Sequence, residues 1–274
     1  LRFDFYSANN FSILDLQHTP REGFINYKGN SIKYLHQVYD PQRPTLIFLH
    51  DSLGCIQLWR NFPEQVALLT GYNFFVYDRI GYGQSSAMTH LPRSVHYLEE
   101  EADILAQIIT QQNLTPAILW GHSDGGSIAL IAAAKYPQLV QAIITEGAHV
   151  FIEDITLQGI RQAEADYQNT DLKQRLEKYH HNNTNALFHA WVDTWQYPEF
   201  EHWNIEHFLA QIHCPTLVIQ GEWDEFGSEA QVDSIVQQVA GYTEKRMIPQ
   251  AGHSPHKKSI FQLAEITAEF LKKI

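Results

Sequence analysis

The sequence predicts an α/β protein: a mostly parallel sheet with helices on both faces and a helical insertion. Three observations lead there. Short apolar runs of four to six residues alternate with segments whose apolar residues recur at helical spacing. That alternation stops between about residues 150 and 212, where helical patterns rich in aromatic side chains replace strands. Finally, Gly121-His122-Ser123-Asp124-Gly125 lies between an apolar run and a small-residue helical pattern, the setting of a sharp strand-to-helix turn.

Residues 1–20 show no clear periodicity. Ile25 to Tyr39, split by Lys28-Gly29-Asn30-Ser31, reads as a hairpin whose turn Gly29 and Asn30 permit. Thr45 to Leu49 follows Pro44 as a short buried strand, Gln57 to Leu69 is helix-like, and Phe74 to Tyr77 is a strand ending at Asp78. Ser94 can cap a helix with Val95, Leu98, Leu105, Ile108 and Ile109 on one face. Ala117 to Trp120 is a strand, and Gly126 to Tyr136 is the helix after it, stopped by Pro137. Ala142 to Thr145, Leu217 to Ile219 and Lys245 to Ile248 are further strands. A helix over Ala230–Val239 separates the last two, and an amphipathic helix over Ile260–Leu271 closes the chain.

Residues 1–149 and 213–274 therefore form the core, and 150–212 a cap with helices over Leu157–Tyr167, Leu172–Tyr179 and Ala186–Trp195. Ligands of such sheets sit beyond the carboxyl ends of the strands. A cap lying there brings its aromatics over the site. Most of them glue the cap to the core, and one or two of Trp191, Trp195 and Trp203 are expected to touch substrate.

Composition excludes several function classes. At 274 residues with net charge −12, the chain lacks the clustered cations that nucleic acid or an anionic membrane requires. Its apolar runs are far shorter than the ~20 residues that span a bilayer. Cys55 and Cys214 form no C-x-x-C pair, so neither a disulfide framework nor a zinc site is expected. No signal peptide is visible, which makes a cytoplasmic location the default, and a homodimer stays open.

A serine hydroxyl is a weak nucleophile and needs a base to take its proton and an acid to orient that base. Ser123 on its turn is the nucleophile candidate. His253, in Ala251-Gly252-His253-Ser254-Pro255 after the last predicted strand, is the base. Asp224, directly after Leu217-Val218-Ile219 in Gln220-Gly221-Glu222-Trp223-Asp224, is the first choice of acid; Glu222 and Glu225 are near alternatives, and Glu146 is a stronger rival.

The order Ser123, Asp224, His253 resembles the serine branch of the α/β-hydrolase superfamily from about residue 22 onward. Leu49-His50, the Asp78-Arg79-Ile80-Gly81-Tyr82-Gly83-Gln84-Ser85 loop, the G-x-x-D and the late Gly-His add to that resemblance. It implies an α/β-hydrolase fold, no cofactor, and an oxyanion hole made by the Asp124 N–H with a second donor after His50. Ser52 is the first candidate there and Leu53 the next. Asp51 stands where the family usually has glycine, so its side chain must turn away from the oxyanion, with Gly54 giving the loop room.

The stretch Gly121 to Pro137 is also similar to the valacyclovir-hydrolase, or biphenyl-hydrolase-like, subgroup, whose members cleave α-amino-acid esters. By that resemblance Asp124 binds a substrate ammonium; otherwise it bonds local backbone. Metal readings fare poorly. His202 and His207 are one residue too far apart for H-x-x-E-H, His180-His181 reads as a solvated helix end, and no nucleotide-binding glycine motif occurs. The expected activity is acyl transfer to water from a small carboxylic ester. C–C hydrolysis of a vinylogous diketone, a lyase or cofactor-free oxygenase, and a ligand-binding member without turnover are the rivals.

Overall fold

The computed structural model describes residues 19–89 and 91–274; the reading of residues 1–18 as aperiodic lies outside the described residues. β1 (Arg21–Tyr27) and β2 (Asn30–Gln37) form the predicted hairpin, followed by β3 (Thr45–Leu49). The helix expected over residues 57–69 is broken. Ile56–Trp59 is a 3₁₀ turn, and α1 (Phe62–Thr70) starts only where Pro63, lacking an N–H, can occupy a first-turn position. β4 (Asn73–Tyr77) and α2 (Tyr97–Gln111) come next. Ser94 does not cap α2: it closes the turn before it, its Oγ accepting from the His96 N–H at 3.1 Å, and His96 takes the cap position.

β5 (Ala117–His122), α3 (Asp124–Lys135) and β6 (Val140–Glu146) build the centre. The helical stretch holds α4 (Asp154–Asn169), α5 (Leu172–His180) and α6 (Thr184–Gln196), and the short α7 (Glu206–Leu209) packs back against α3. β7 (Thr216–Gly221), α8 (Glu229–Gln238), β8 (Thr243–Ile248), α9 (Pro255–Lys258) and α10 (Ile260–Leu271) complete the chain.

The eight strands run in the order β1-β2-β4-β3-β5-β6-β7-β8. The β1/β2 and β2/β4 pairs are antiparallel and every later pair is parallel. Side chains alternate across each strand, which explains why the central runs are apolar throughout. Leu46, Phe48, Ile118, Trp120 and Leu217 face a core closed by α1 and α10, while Ile47, Leu49, Leu119, Ile143 and Val218 face one closed by α2, α3 and α8. Parallel crossovers put the carboxyl ends of β3, β5, β6, β7 and β8 on one edge, where the site lies.

The ends of the helical stretch meet where Phe151 bridges Asn204, and the Ile205 N–H donates to Val150 O at 2.8 Å. Within it, Tyr167 stacks on Phe188 at 3.8 Å. His180 corrects the sequence reading. It is not solvated but fully buried, its Nδ1 accepting from the Gly83 N–H and its Nε2 donating to Leu53 O, both at 3.0 Å. One imidazole thus ties α5 to two core loops. His180→Leu strands a buried donor and acceptor at ~1–3 kcal/mol each. A thermal melt should fall by at least about 4 °C; an unchanged melt would deny the tether.

Candidate active site

The site grows from the turn after β5. Ser123 has φ 54° and ψ −121°, a conformation an L-residue adopts only at a cost of ~1–3 kcal/mol. Its surroundings enforce it: the Ser123 N–H donates to Glu146 O at 2.8 Å, and the Gly126 N–H returns to Ser123 O at 2.8 Å. A Cβ at Gly125 would lie 2.0 Å from Leu49 O, so only glycine lets α3 start this close to β3. Ser123 stands at the N-terminus of α3, where unpaired N–H groups favour negative charge.

His253 follows β8 and Asp224 follows β7. The His253 Nδ1–H donates to Asp224 at 2.9 Å (Oδ1) and 3.0 Å (Oδ2), and the second lone pair of Oδ1 takes the Phe226 N–H at 2.9 Å. A carboxylate only accepts, so the proton sits on Nδ1 and Nε2 keeps a lone pair able to accept one. Burial alone would lower the His253 pKa, but the Asp224 charge and hydrogen bond outweigh it and raise it above the ordinary value. Likewise burial works against an ionised Asp224, yet His253 holds its pKa below the usual one. Gly147 gives the imidazole its place, since a Cβ there would lie 2.9 Å from His253 Cε1.

The rival acids are engaged elsewhere or point away. Glu146 accepts the His256 N–H at 2.8 Å and pairs closely with that ring. Glu225 takes the backbone N–H of His253 at 3.0 Å, and Glu222 is exposed.

The loop after β3 also settles into one arrangement. Asp51 turns its carboxylate to His122 Nδ1 and Lys257 Nζ, both at 3.2 Å, and takes the Leu53 N–H at 3.1 Å. Burial opposes its ionisation, but Lys257 and His122 prevail and hold its pKa well below the usual range. Leu53 therefore has its N–H committed. Among the described residues, the Ser52 and Asp124 N–H groups donate to no protein acceptor.

Arg79 lies beneath these groups, 1% exposed. Its Nη2 donates to Asp51 O at 2.8 Å and its Nη1 to Asp124 Oδ2 at 3.4 Å. Tyr97 Oη donates to the same oxygen at 3.1 Å and in turn accepts from Trp195 Nε1 at 2.9 Å. One oxygen of Asp124 thus balances a buried guanidinium and does not bond local backbone, while the residue also lines the cavity. The sequence quoted Arg79 inside its loop motif without assigning it a partner, and nothing in local spacing places Tyr97 against Asp124, 27 positions on.

A cavity of about 500 Å³ opens over the turn, lined by Ser123, His253, Ser52, Asp124, Trp191 and Trp195 among others. Trp203 is not at its wall. It stacks on Phe200 at 5.5 Å and touches Trp195 at 5.4 Å, gluing the helical stretch together. Among the described residues Ser123 Oγ makes no direct hydrogen bond. Behind the turn, His122, Glu146 and His256 offer ligand atoms within 4.8 Å of one another. These already have partners inside the protein, His122 Nε2 lying 2.9 Å from His253 O and Glu146 pairing with His256, so the cluster reads as structural.

The Arg79–Asp124 pair can be tested directly. Removing one partner of a buried pair strands the other at ~3–5 kcal/mol. Arg79→Met should lower stability by about that much, and Asp124→Asn added to it should restore part. A double-mutant cycle on melts showing no coupling would mean the two charges do not depend on each other.

Comparison with known proteins places this geometry. A family model described as the alpha/beta hydrolase fold matches residues 44–200. The chain is 28% identical over 207 residues to the mouse (Mus musculus) serine hydrolase BPHL, covering 73% of this chain and 70% of that protein. It is 25% identical over 264 residues to a 2-succinyl-6-hydroxy-2,4-cyclohexadiene-1-carboxylate synthase from Enterobacter sp. (strain 638), covering 85% of this chain and 93% of the other. Among solved structures, an alpha/beta hydrolase enzyme from a Medee basin deep-sea metagenome library superposes with a TM-score of 0.74 at 18% identity, covering 91% of this chain and 97% of the other. With its sheet order, its strained turn and a family match over more than half its length, this chain belongs to the α/β-hydrolase fold family.

Proposed function

We propose that the protein is a serine hydrolase that cleaves a small carboxylic ester. One observation carries this: an Asp224–His253 hydrogen bond of 2.9 Å faces the same cavity as a serine held in a strained turn. The similarity to a serine hydrolase agrees with it. In the proposed reaction Ser123 Oγ attacks the acyl carbonyl while His253 Nε2 takes its proton. The N–H groups of Asp124 and Ser52 receive the oxyanion, each worth ~10²–10³ in rate. His253 then protonates the departing alcohol, leaving an acyl-enzyme and a neutral imidazole. Water, deprotonated by the same Nε2, attacks the acyl-enzyme; the acid departs and the proton returns to Ser123. The helical stretch of residues 150–212 acts as the cap that shields these steps, with Trp191 and Trp195 on the cavity wall.

A second reading, a lyase using the same histidine as base without an acyl-enzyme, is favoured by the similarity to the synthase. The two separate on a fluorophosphonate probe followed by hydrolysis of p-nitrophenyl esters. The hydrolase reading requires labelling of the wild type, loss of the label in Ser123→Ala, and ester turnover. Labelling that survives Ser123→Ala would remove this serine as nucleophile.

The pH profile tests the base. Because Asp224 raises the His253 pKa, the acid limb of kcat/KM should lie above the ordinary imidazole value of ~6.5. Asp224→Asn removes the charge that raises it, so the limb should move to lower pH while kcat falls ~10⁴-fold. Glu146→Gln should cost far less; the reverse order of losses would make Glu146 the orienting acid.

A further inference from the structure

The charge around the cavity runs against the charge of the chain. Lys and Arg make up 19 of 274 residues, with a net charge of −12. Among the described residues, four of the 22 lining the cavity are cationic: Arg60, Arg175, Lys178 and Lys257. Of its three carboxylates, Asp51 and Asp124 pair with cations of the protein, and Glu225 accepts a backbone N–H. Asp51 is held by Lys257 and His122 at 3.2 Å, Asp124 by Arg79 at 3.4 Å, and Glu225 accepts the His253 N–H at 3.0 Å.

The cations are less committed. Lys257 answers Asp51, and Arg175 makes a 3.0 Å pair with Asp171 on the surface of α5, a weak kind of contact. Arg60 and Lys178 have no ion-pair partner among the described residues. Arg60 comes from the core and Lys178 from α5 of the helical stretch, so the two charges reach one cavity from separate parts of the fold. Arg60 holds φ 53° and ψ −130°, an unfavourable conformation for arginine, while its N–H closes the 3₁₀ turn on Gln57 O at 3.2 Å.

We infer that the substrate is a carboxylate-bearing ester, whose anionic end, remote from the scissile bond, is bound by Arg60 and Lys178. This rests on the hydrolase reading and narrows it. A cavity of about 500 Å³ has room for a short chain between the two groups. Asp124 shares one oxygen with Arg79 and Tyr97, so its charge is already balanced beside the proposed nucleophile, and an anionic ester meets two cations on the cavity wall, Arg60 and Lys178, that have no ion-pair partner among the described residues. Their field also steers an anion inward, more strongly at low salt than at high.

The test compares kcat/KM on mono-p-nitrophenyl glutarate, p-nitrophenyl butyrate and L-valine p-nitrophenyl ester, for wild type and the double variant Arg60→Gln/Lys178→Gln. The glutarate ester should be preferred over butyrate by about tenfold at low ionic strength, and by less in 0.5 M salt. In the double variant the preference should collapse toward unity, chiefly through KM. A preference for the valine or butyrate ester, or a glutarate preference that survives the double substitution, would overturn the anion site. If the wild type neither takes a fluorophosphonate label nor hydrolyses any ester, the hydrolase reading fails instead. Free glutarate then decides the anion site: a thermal shift present in wild type and absent from the double variant supports it, and no shift in wild type removes it.

Discussion

The guanidinium of Arg79 is the constraint around which the site is assembled. Burying a cation costs several kcal/mol unless its surroundings supply charge and hydrogen-bond acceptors in return. Here the acceptors come from different parts of the chain: the carbonyl of Asp51 after β3 and the carboxylate of Asp124 at the start of α3. The ring of Tyr82 lies 4.6 Å away. The Ser52 and Asp124 N–H groups belong to the first two of these segments. Their mutual position is therefore set against a common charge, not by the preference of either loop alone. Tyr97 and Trp195 extend the same network to α6, so the helical stretch is linked through Tyr97 to the residue beside Ser123.

Histidines connect the remaining loops, and burial decides how. A charged imidazole is costly inside the protein, so a buried ring offers one donor and one acceptor of fixed sense. His50 donates to Asp51 O at 2.8 Å and accepts the Arg79 N–H at 3.0 Å; burial, with Arg79 nearby, holds its pKa well below the ordinary value. His253 and His256 each face a carboxylate, yet their pKa values move in opposite directions. The difference lies in the partner. Burial pushes Glu146 up to about 7, so it gives His256 little negative charge to lean on, and burial with Lys257 lowers that ring. Asp224 stays ionised and raises His253. One imidazole is thereby poised to exchange protons while its neighbours stay neutral connectors.

The sheet was legible because its signal is local. In β3, Leu46 and Phe48 face one core and Ile47 and Leu49 the other, so a continuous apolar run is what a strand buried on both faces must look like. Ser123, Asp224 and His253 stand out in the sequence because each follows such a run. What escaped was long-range pairing. His180 looks like a polar helix end until the fold brings Gly83 and Leu53, from loops far earlier in the chain, onto its two ring nitrogens. Trp203 looks equivalent to Trp191 and Trp195, and only tertiary packing decides which of the three meets the cavity. Asp124 gives no local sign of its partner Arg79, 45 residues away.

Asp51 shows how the protein accommodates a residue that opposes the proposed chemistry. A carboxylate ~5 Å from a developing oxyanion at an effective dielectric of ~20 would raise its energy by about 3 kcal/mol, as much as a good donor supplies. Three contacts remove the difficulty. His122 and Lys257 draw the carboxylate aside, and Gly54 leaves it space, since a Cβ there would lie 2.4 Å from Asp51 Oδ1. The same carboxylate then takes the Leu53 N–H, so Leu53 does not compete with Ser52 as donor. The other nitrogen of His122 lies 2.9 Å from the carbonyl of His253. The side chain that would oppose the proposed oxyanion thus ties up the Leu53 N–H, leaves that of Ser52 without a protein acceptor among the described residues, and is linked through His122 to the proposed base.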